Sequence, residues 1–433
     1  MGNLNSKTFC AGPYTEVRIN SNGSLNFCHA ALGNNIPVVD NIKFSSLDEY
    51  FYRSKTVIQI KNQIESGHYV DQCHRCYRAD DLGLVSFRQR RNIQYGIFPG
   101  LDFDQSVDES IIQQYFHTQT QKPKFYHVSF SNLCNMACMM CNPRDSSLLT
   151  ATLGKATIIP LQQEILQDWT QGPAWTQFCE HLLNNDEIVC LHVMGGEPLY
   201  HKRFRELLTL LQDKKHTNFH LTFVTNGSIY DSSIISLLAN FKSVVIEISI
   251  DGIGNVNNYI RHTSNSEQIV NNIKSWCKHI TKNFDIVLRS VPQVLSAINY
   301  DQLLEFADNN NLIIDSNDLI NPNFMHLNIL PNNLKQQVKD KISNKVLHTD
   351  CADTVRDINV RDNSDVLHSL QKNAKLVIAQ LDSKCQDIEN KRLEFVDYCV
   401  KFDRYRGFNI RDYIPELLDF MNEYGYEQKL YSN

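Results

Sequence analysis

Between Lys124 and Asp315 six apolar runs, FYHVSF, EIVCLHVM, HLTFVTN, SVVIEISI, DIVLRSVPQV and LIID, alternate with amphipathic stretches such as FRELLTLLQD, SIISLLANF, QIVNNIKSWCKHI and LLEFADN. A strand followed by a helix cannot pair with the next strand through a tight hairpin. The helix carries the chain back, so the strands run parallel. Six such units predict an α/β architecture, an open barrel or a doubly wound sheet. In either, ligands collect at the carboxyl ends of the strands.

The flanks differ. Residues 1–95 hold four cysteines and the alternating segments EVRIN and SLNFC around Ser21-Asn22-Gly23, which predicts a β-hairpin in a small domain. Residues 96–123 are polar and weakly periodic and read as a linker with one short helix at SIIQQYF; residues 124–330 hold the strand–helix units; residues 331–433 turn helical and charged. The basic spot FRQRRN, Arg88 to Arg91, reads as a solvated helix face.

A chain of 433 residues can bury a core without staples, so its 13 cysteines need another explanation, and an odd number does not complete a disulfide framework. The N-terminal MGNLNSKTFC lacks a signal-peptide pattern and no run of about 18 apolar residues follows, which predicts a cytoplasmic protein without a membrane span. A net charge of −6 without a long Lys/Arg run argues against a dedicated nucleic-acid binder.

After the first apolar run comes SNLCNMACMMCNP, with Cys134, Cys138 and Cys141 spaced CxxxCxxC. Three thiolates leave one iron of a 4Fe–4S cluster open to an exogenous ligand. Tetrahedral zinc would need a fourth ligand, for which His192 or His201 would have to fold in. The motif resembles that of the radical S-adenosylmethionine (SAM) superfamily, over roughly Lys124 to Asp315. The resemblance implies a partial (β/α)6 barrel, a 4Fe–4S cluster whose open iron chelates SAM, and reductive cleavage to a 5′-deoxyadenosyl radical, with electrons from a donor such as flavodoxin or ferredoxin. Family members often carry an aromatic residue where this chain has Met140, whose thioether offers a similar polarizable contact.

Other segments extend the resemblance. Gly195, Gly196 and Glu197 in VMGGEP are similar to the family's GGE motif, which binds the methionine amino group. Ser249 and Asp251 in EISIDG alternate onto one strand face and resemble its SxDG strand end, while Arg261 matches the arginine that pairs with the SAM carboxylate in peptide-modifying relatives. Asn226 in TNG is placed near the cofactor by analogy. Arg289, in an otherwise apolar strand, is costly to bury unpaired and is expected to reach SAM or substrate, or to pair with a structural carboxylate.

Cys10, Cys28, Cys73 and Cys76 form a second group. Cys10 precedes Gly23 by thirteen positions, four residues separate Gly23 from Cys28, and a CxxC closes the set. This resembles the auxiliary-cluster domains called SPASM and its shorter form, twitch, placed here before the barrel. Four thiolates suffice for one auxiliary 4Fe–4S cluster; zinc held by all four is the alternative. The resemblance implies an enzyme abstracting hydrogen from a peptide or protein side chain. A small metabolite, sugar or nucleobase is the second possibility, and a non-catalytic metal-binding redox or interaction protein on the same fold the third.

Overall fold

The structure, a computed structural model, describes residues 8–31, 40–81, 86–94, 122–162, 165–319, 321–347 and 363–432. The expected linker and the SIIQQYF helix lie almost wholly outside them, as does Cys351. The strands are β1 (Glu16–Ile19), β2 (Leu25–Asn26), β3 (Phe125–Val128), β4 (Ala137–Cys138), β5 (Cys190–Val193), β6 (His220–Thr225), β7 (Ser243–Ser249), β8 (Arg261–His262), β9 (Phe284–Ser290) and β10 (Ile313–Ser316). Eight form one sheet in the order β10-β9-β7-β6-β5-β3-β1-β2, and β4 pairs with β8.

All six predicted strand segments appear, as β3, β5, β6, β7, β9 and β10, each parallel to its neighbour. This is the mixed α/β fold of a partial barrel, followed by helices Asn332–Leu347, Asn363–Asp382 and Ile388–Arg406. Along β7 and β9 burial alternates strictly. Val244, Ile246, Ile248, Ile286 and Leu288 share one core with helix residues such as Leu207, Ile269 and Trp276, leaving Glu247, Ser249 and Arg289 on the concave face. Strands of parallel sheets are usually apolar on both faces; the alternation here records a polar interior.

Helix Lys202–Asp213 shows how the outer layer forms. Phe204, Leu207, Leu208 and Leu211 fall at i, i+3, i+4 and i+7, one stripe of a helix, and all are buried. Each contributes about 1.5–3 kcal/mol by leaving water. The last helices cover the open edge: Asn373 Nδ2 donates to the Ile314 carbonyl at 2.7 Å, and the Ile314 amide donates to Ser369 Oγ at 3.3 Å.

The N-terminal hairpin forms as expected, with Arg18 opposite Asn26 and Gly23 at φ +86° in the turn. Its first strand also joins the barrel sheet, pairing parallel with β3 from Glu16↔Phe125 to Ile19↔Val128. The FRQRRN expectation is corrected. In helix Phe87–Gln94 the Arg88 and Arg91 side chains are buried, Arg88 Nε 2.8 Å from Asp80 Oδ2 and Arg91 paired with Glu16. Their charges are neutralised inside, not solvated.

Candidate cluster and SAM site

The three-cysteine loop leaves β3 and is pinned by its own polar residues. Ser146 Oγ donates to the Met136 carbonyl at 2.7 Å and accepts from the Leu149 amide at 3.1 Å, capping helix Ser147–Lys155 and tying it to the loop. Within the loop, β4 pairs with β8, setting Cys138 opposite Arg261. Burial raises all three thiols, Cys134 to about 12, and each pair among the three interacts electrostatically. Beside Cys138 the Arg261 guanidinium, with Nη1 3.7 Å from Sγ, favours the thiolate.

The GGE segment docks on this loop through its backbone. Gly195 and Gly196 have φ of +74° and +60°, and a Cβ at Gly196 would stand 2.5 Å from the Leu133 carbonyl oxygen. The Gly196 amide donates to Asp145 O at 3.0 Å and the Glu197 amide to Leu133 O at 2.8 Å. Only a residue without a side chain allows so close an approach. The Glu197 carboxylate is buried and accepts from Leu199 N at 3.0 Å, Thr225 Oγ1 at 2.8 Å and Asn226 N at 2.7 Å. Burial pushes its pKa up to about 7 against those hydrogen bonds. Asn226 in turn donates to Asn135 Oδ1 at 2.7 Å, with its Nδ2 4.0 Å from Cys134 Sγ.

Asp251 is fully buried and its Oδ2 lies 2.7 Å from Arg261 Nη2, while Oδ1 accepts from Val291 N at 2.8 Å. Ser249 ends β7 on the concave face in register with Arg289. Arg289 has a carboxylate on each side: Glu247 holds its Nε and Nη2 at 2.8 and 3.0 Å, and Asp315 its Nη1. Thus Glu197, Asn226 and Cys134 form one chain of contacts and Cys141, Cys138, Arg261 and Asp251 another, with the three thiols within electrostatic reach of one another, and Arg289 stands apart in an ion-pair cluster. Neither histidine considered as a fourth ligand joins the thiols, since His192 Nδ1 pairs with Thr222 at 2.5 Å and His201 Nε2 with Asp168 at 3.4 Å. Asn135, Asp145 and Glu247 escaped the sequence reading because no spacing pattern marks them.

Cys10, Cys28, Cys73 and Cys76 line one small chamber together with Arg88, Arg91 and apolar groups such as Phe27. Cys10 Sγ accepts from the Gly12 amide at 3.4 Å and Cys28 Sγ from the Ala30 amide at 3.3 Å. Burial raises all four thiols, Cys10 to about 11, with Arg91 drawing Cys10 back. Glu16 bridges this chamber to the barrel, accepting from His29 N at 2.6 Å and standing 3.2 Å from His127 Nε2. Burial would raise the Glu16 carboxyl, but Arg91 and both histidines hold it well below the usual range.

The donor sets test which metal each thiol group suits. Among the described residues, the one triad of potential ligand atoms mutually within 4.8 Å is Glu16, His29 and His127, whose carboxylate Arg91 already occupies. Neither cysteine group closes to that spacing. Zinc bonded to sulfur at about 2.3 Å would draw thiolates to about 3.8 Å from one another; a cube of iron and sulfur holds them wider. The three-cysteine loop therefore fits a 4Fe–4S cluster with one open iron, with Arg261 and the GGE backbone beside it.

Residues 128–291 match the family model described as the Radical SAM superfamily. No curated protein matches the chain. Similar solved structures include Streptococcus suis SuiB bound to precursor peptide SuiA, at 15% identity and a TM-score of 0.37 over 65% of this chain and 60% of that one. Native anSMEcpe with bound AdoMet is 15% identical, with a TM-score of 0.34 over 51% of this chain and 59% of that one. The match to SuiB thus spans about 60% of that protein's length. The matched segment, residues 128–291, encloses the three-cysteine loop and the strand-end motifs and so carries the pattern of radical SAM domains, whose cofactors are a 4Fe–4S cluster and SAM.

Proposed function

We propose that this protein is a radical SAM enzyme that cleaves SAM reductively and uses the 5′-deoxyadenosyl radical to abstract hydrogen from a peptide or protein side chain. The observation that carries the enzymatic reading is the convergence of Cys138, Arg261 and Asp251 with the loop-docked GGE segment. The loop binds the cluster, Arg261 offers a fixed fork to a carboxylate, and Glu197 accepts from an ammonium. Cleavage chemistry belongs to the cofactor, while the chain orients it and excludes competing reactions.

The chamber of Cys10, Cys28, Cys73 and Cys76 supports the peptide arm, because its spacing resembles the auxiliary domains of peptide-modifying relatives. It is proposed as an auxiliary 4Fe–4S site, on the wide thiol spacing described above. An external electron donor of the flavodoxin or ferredoxin type would serve the first cluster. A second substrate class, a small polar metabolite, is favoured by the concave face, where Glu247, Arg289 and His192 would meet any occupant. Among the described residues no helix is long and apolar enough to cross a membrane.

The test is anaerobic reconstitution with iron and sulfide, followed by SAM and dithionite. Wild-type protein is expected to form 5′-deoxyadenosine and Cys134→Ala none; equal product from both would overturn the reading. Adding peptide pools or small-metabolite pools and following deuterium incorporation into 5′-deoxyadenosine separates the substrate classes.

A further inference from the structure

The C-terminal helix Ile388–Arg406 reaches both segments that frame the cluster site. Tyr398 donates its hydroxyl to the Met139 carbonyl at 2.7 Å, on the peptide between Cys138 and Cys141. Two turns further on, Arg406 donates to the Tyr259 carbonyl at 2.6 Å, with its guanidinium 4.0 Å from the centre of the Tyr259 ring. Tyr259 is two residues before Arg261. Between these contacts Asp403, fully buried, accepts from Arg406 at 2.7 and 2.9 Å, from Tyr259 at 2.8 Å and from Tyr426 at 2.5 Å.

Eight residues of helix separate Tyr398 from Arg406, about 12 Å along a rigid axis. The cysteine loop and the Arg261 segment are themselves joined by two residue pairs of β4 and β8 and by the Met139 amide on Ile260 O at 2.9 Å. Thr263 Oγ1 adds a bond to the Asn135 carbonyl at 2.6 Å. The helix, anchored on both segments, braces this spacing from outside.

We propose that helix Ile388–Arg406 is a positioning clamp for the radical SAM site, with Tyr398 tuning the first cluster through the Met139 peptide and Arg406 holding the segment that carries Arg261. The proposal rests on the loop's holding a 4Fe–4S cluster. Partners of metal ligands fix ligand orientation and set potentials. A hydroxyl donated to the Met139 carbonyl draws electron density from a peptide flanked by two thiolates, which favours the reduced cluster.

The experiment is redox titration and EPR of anaerobically reconstituted full-length protein, without substrate. Tyr398→Phe is expected to load as much iron as wild type, to shift the cluster's midpoint potential to a more negative value and to alter the EPR lines of the reduced SAM-bound state. 3-Fluorotyrosine introduced at position 398, a stronger donor with nearly the same shape, is expected to shift the potential the other way and keeps the test open should Tyr398→Phe fail to fold. Val377→Ala, a buried truncation in helix Asn363–Asp382 and outside the clamp, is expected to leave potential and spectrum unchanged. Wild-type values in the position 398 variants, or the same shift from Val377→Ala, would overturn the clamp. A wild-type protein with no reducible cluster signal would instead overturn the radical SAM reading.

Discussion

The Arg261 guanidinium closes on one oxygen of Asp251, with Nη2 and Nε at 2.7 and 2.8 Å from Oδ2, and both side chains are buried. The pair fixes the Arg261 fork in place beside Cys138. A buried pair that loses one partner leaves the other charge unpaired, at a cost of about 3–5 kcal/mol. Asp251→Asn is therefore expected to lower the unfolding free energy in urea by that amount and to weaken SAM binding roughly tenfold or more, read by circular dichroism and calorimetry. Unchanged SAM affinity would show that Arg261 needs no such fixing.

Glu197 gives a pH prediction. Burial lifts its folded pKa to about 7 from an ordinary value near 4.5. Between those values the native state holds a proton that the unfolded chain has lost, so stability of the cofactor-free protein falls as pH rises from 4.5 to 7, by about 3 kcal/mol at most. Glu197→Gln is expected to flatten that dependence in denaturation curves taken from pH 5 to 8. A wild-type curve already flat would mean that the three hydrogen bonds cancel the effect of burial.

The six parallel strands were legible because each pairs an apolar outer set with a turn signal, and Gly23 marked the hairpin. Register was not: nothing in EVRIN says that Glu16 lies beside Phe125, since a parallel partner a hundred residues away leaves no local trace. The site divides along the same line. Cys134, Cys138, Cys141 and the GGE segment show in spacing; the partners of Arg261 and Arg289 depend on which strands adjoin. Arg88 and Arg91 misled because a basic cluster looks solvated until a distant Asp80 and Glu16 arrive to pair with it.

Gly196 and Gly407 make a matched comparison, with φ of +60° and +67°. An alanine Cβ at Gly196 would meet Leu133 O at 2.5 Å, whereas nothing lies within 4 Å of one at Gly407. Gly407→Ala bears only the left-handed backbone strain, about 1 kcal/mol. Gly196→Ala must also push the cysteine loop away, so it is expected to lose iron from the first cluster while Gly407→Ala keeps it. Equal iron content by colorimetric assay would show that the loop can yield.

Counting metal tests the N-terminal chamber. If it holds an auxiliary cluster, wild-type protein carries about eight irons per chain and Cys73→Ala/Cys76→Ala about four. A tetrahedral zinc site would instead give about four irons and one zinc, with the zinc lost in the variant. Because burial raises all four thiols above the ordinary thiol range, loading is expected to release protons and to slow as pH falls.

The edge strand β10 supplies the last prediction. Ile314 presents its amide to Ser369 and its carbonyl to Asn373, residues one turn apart on helix Asn363–Asp382. An unpaired sheet edge invites other chains, and here side chains of a helix take the place of a neighbouring strand. Ser369→Ala or Asn373→Ala leaves one buried backbone group unsatisfied, at about 1–3 kcal/mol. The double variant strips both groups of one peptide edge and is expected to lose roughly the sum, because each side chain serves a different atom. Detachment of the helix would then expose β10, so concentration-dependent association in light scattering should accompany the lower unfolding midpoint. A double variant no less stable than either single one would show that the helix holds the edge by apolar packing alone.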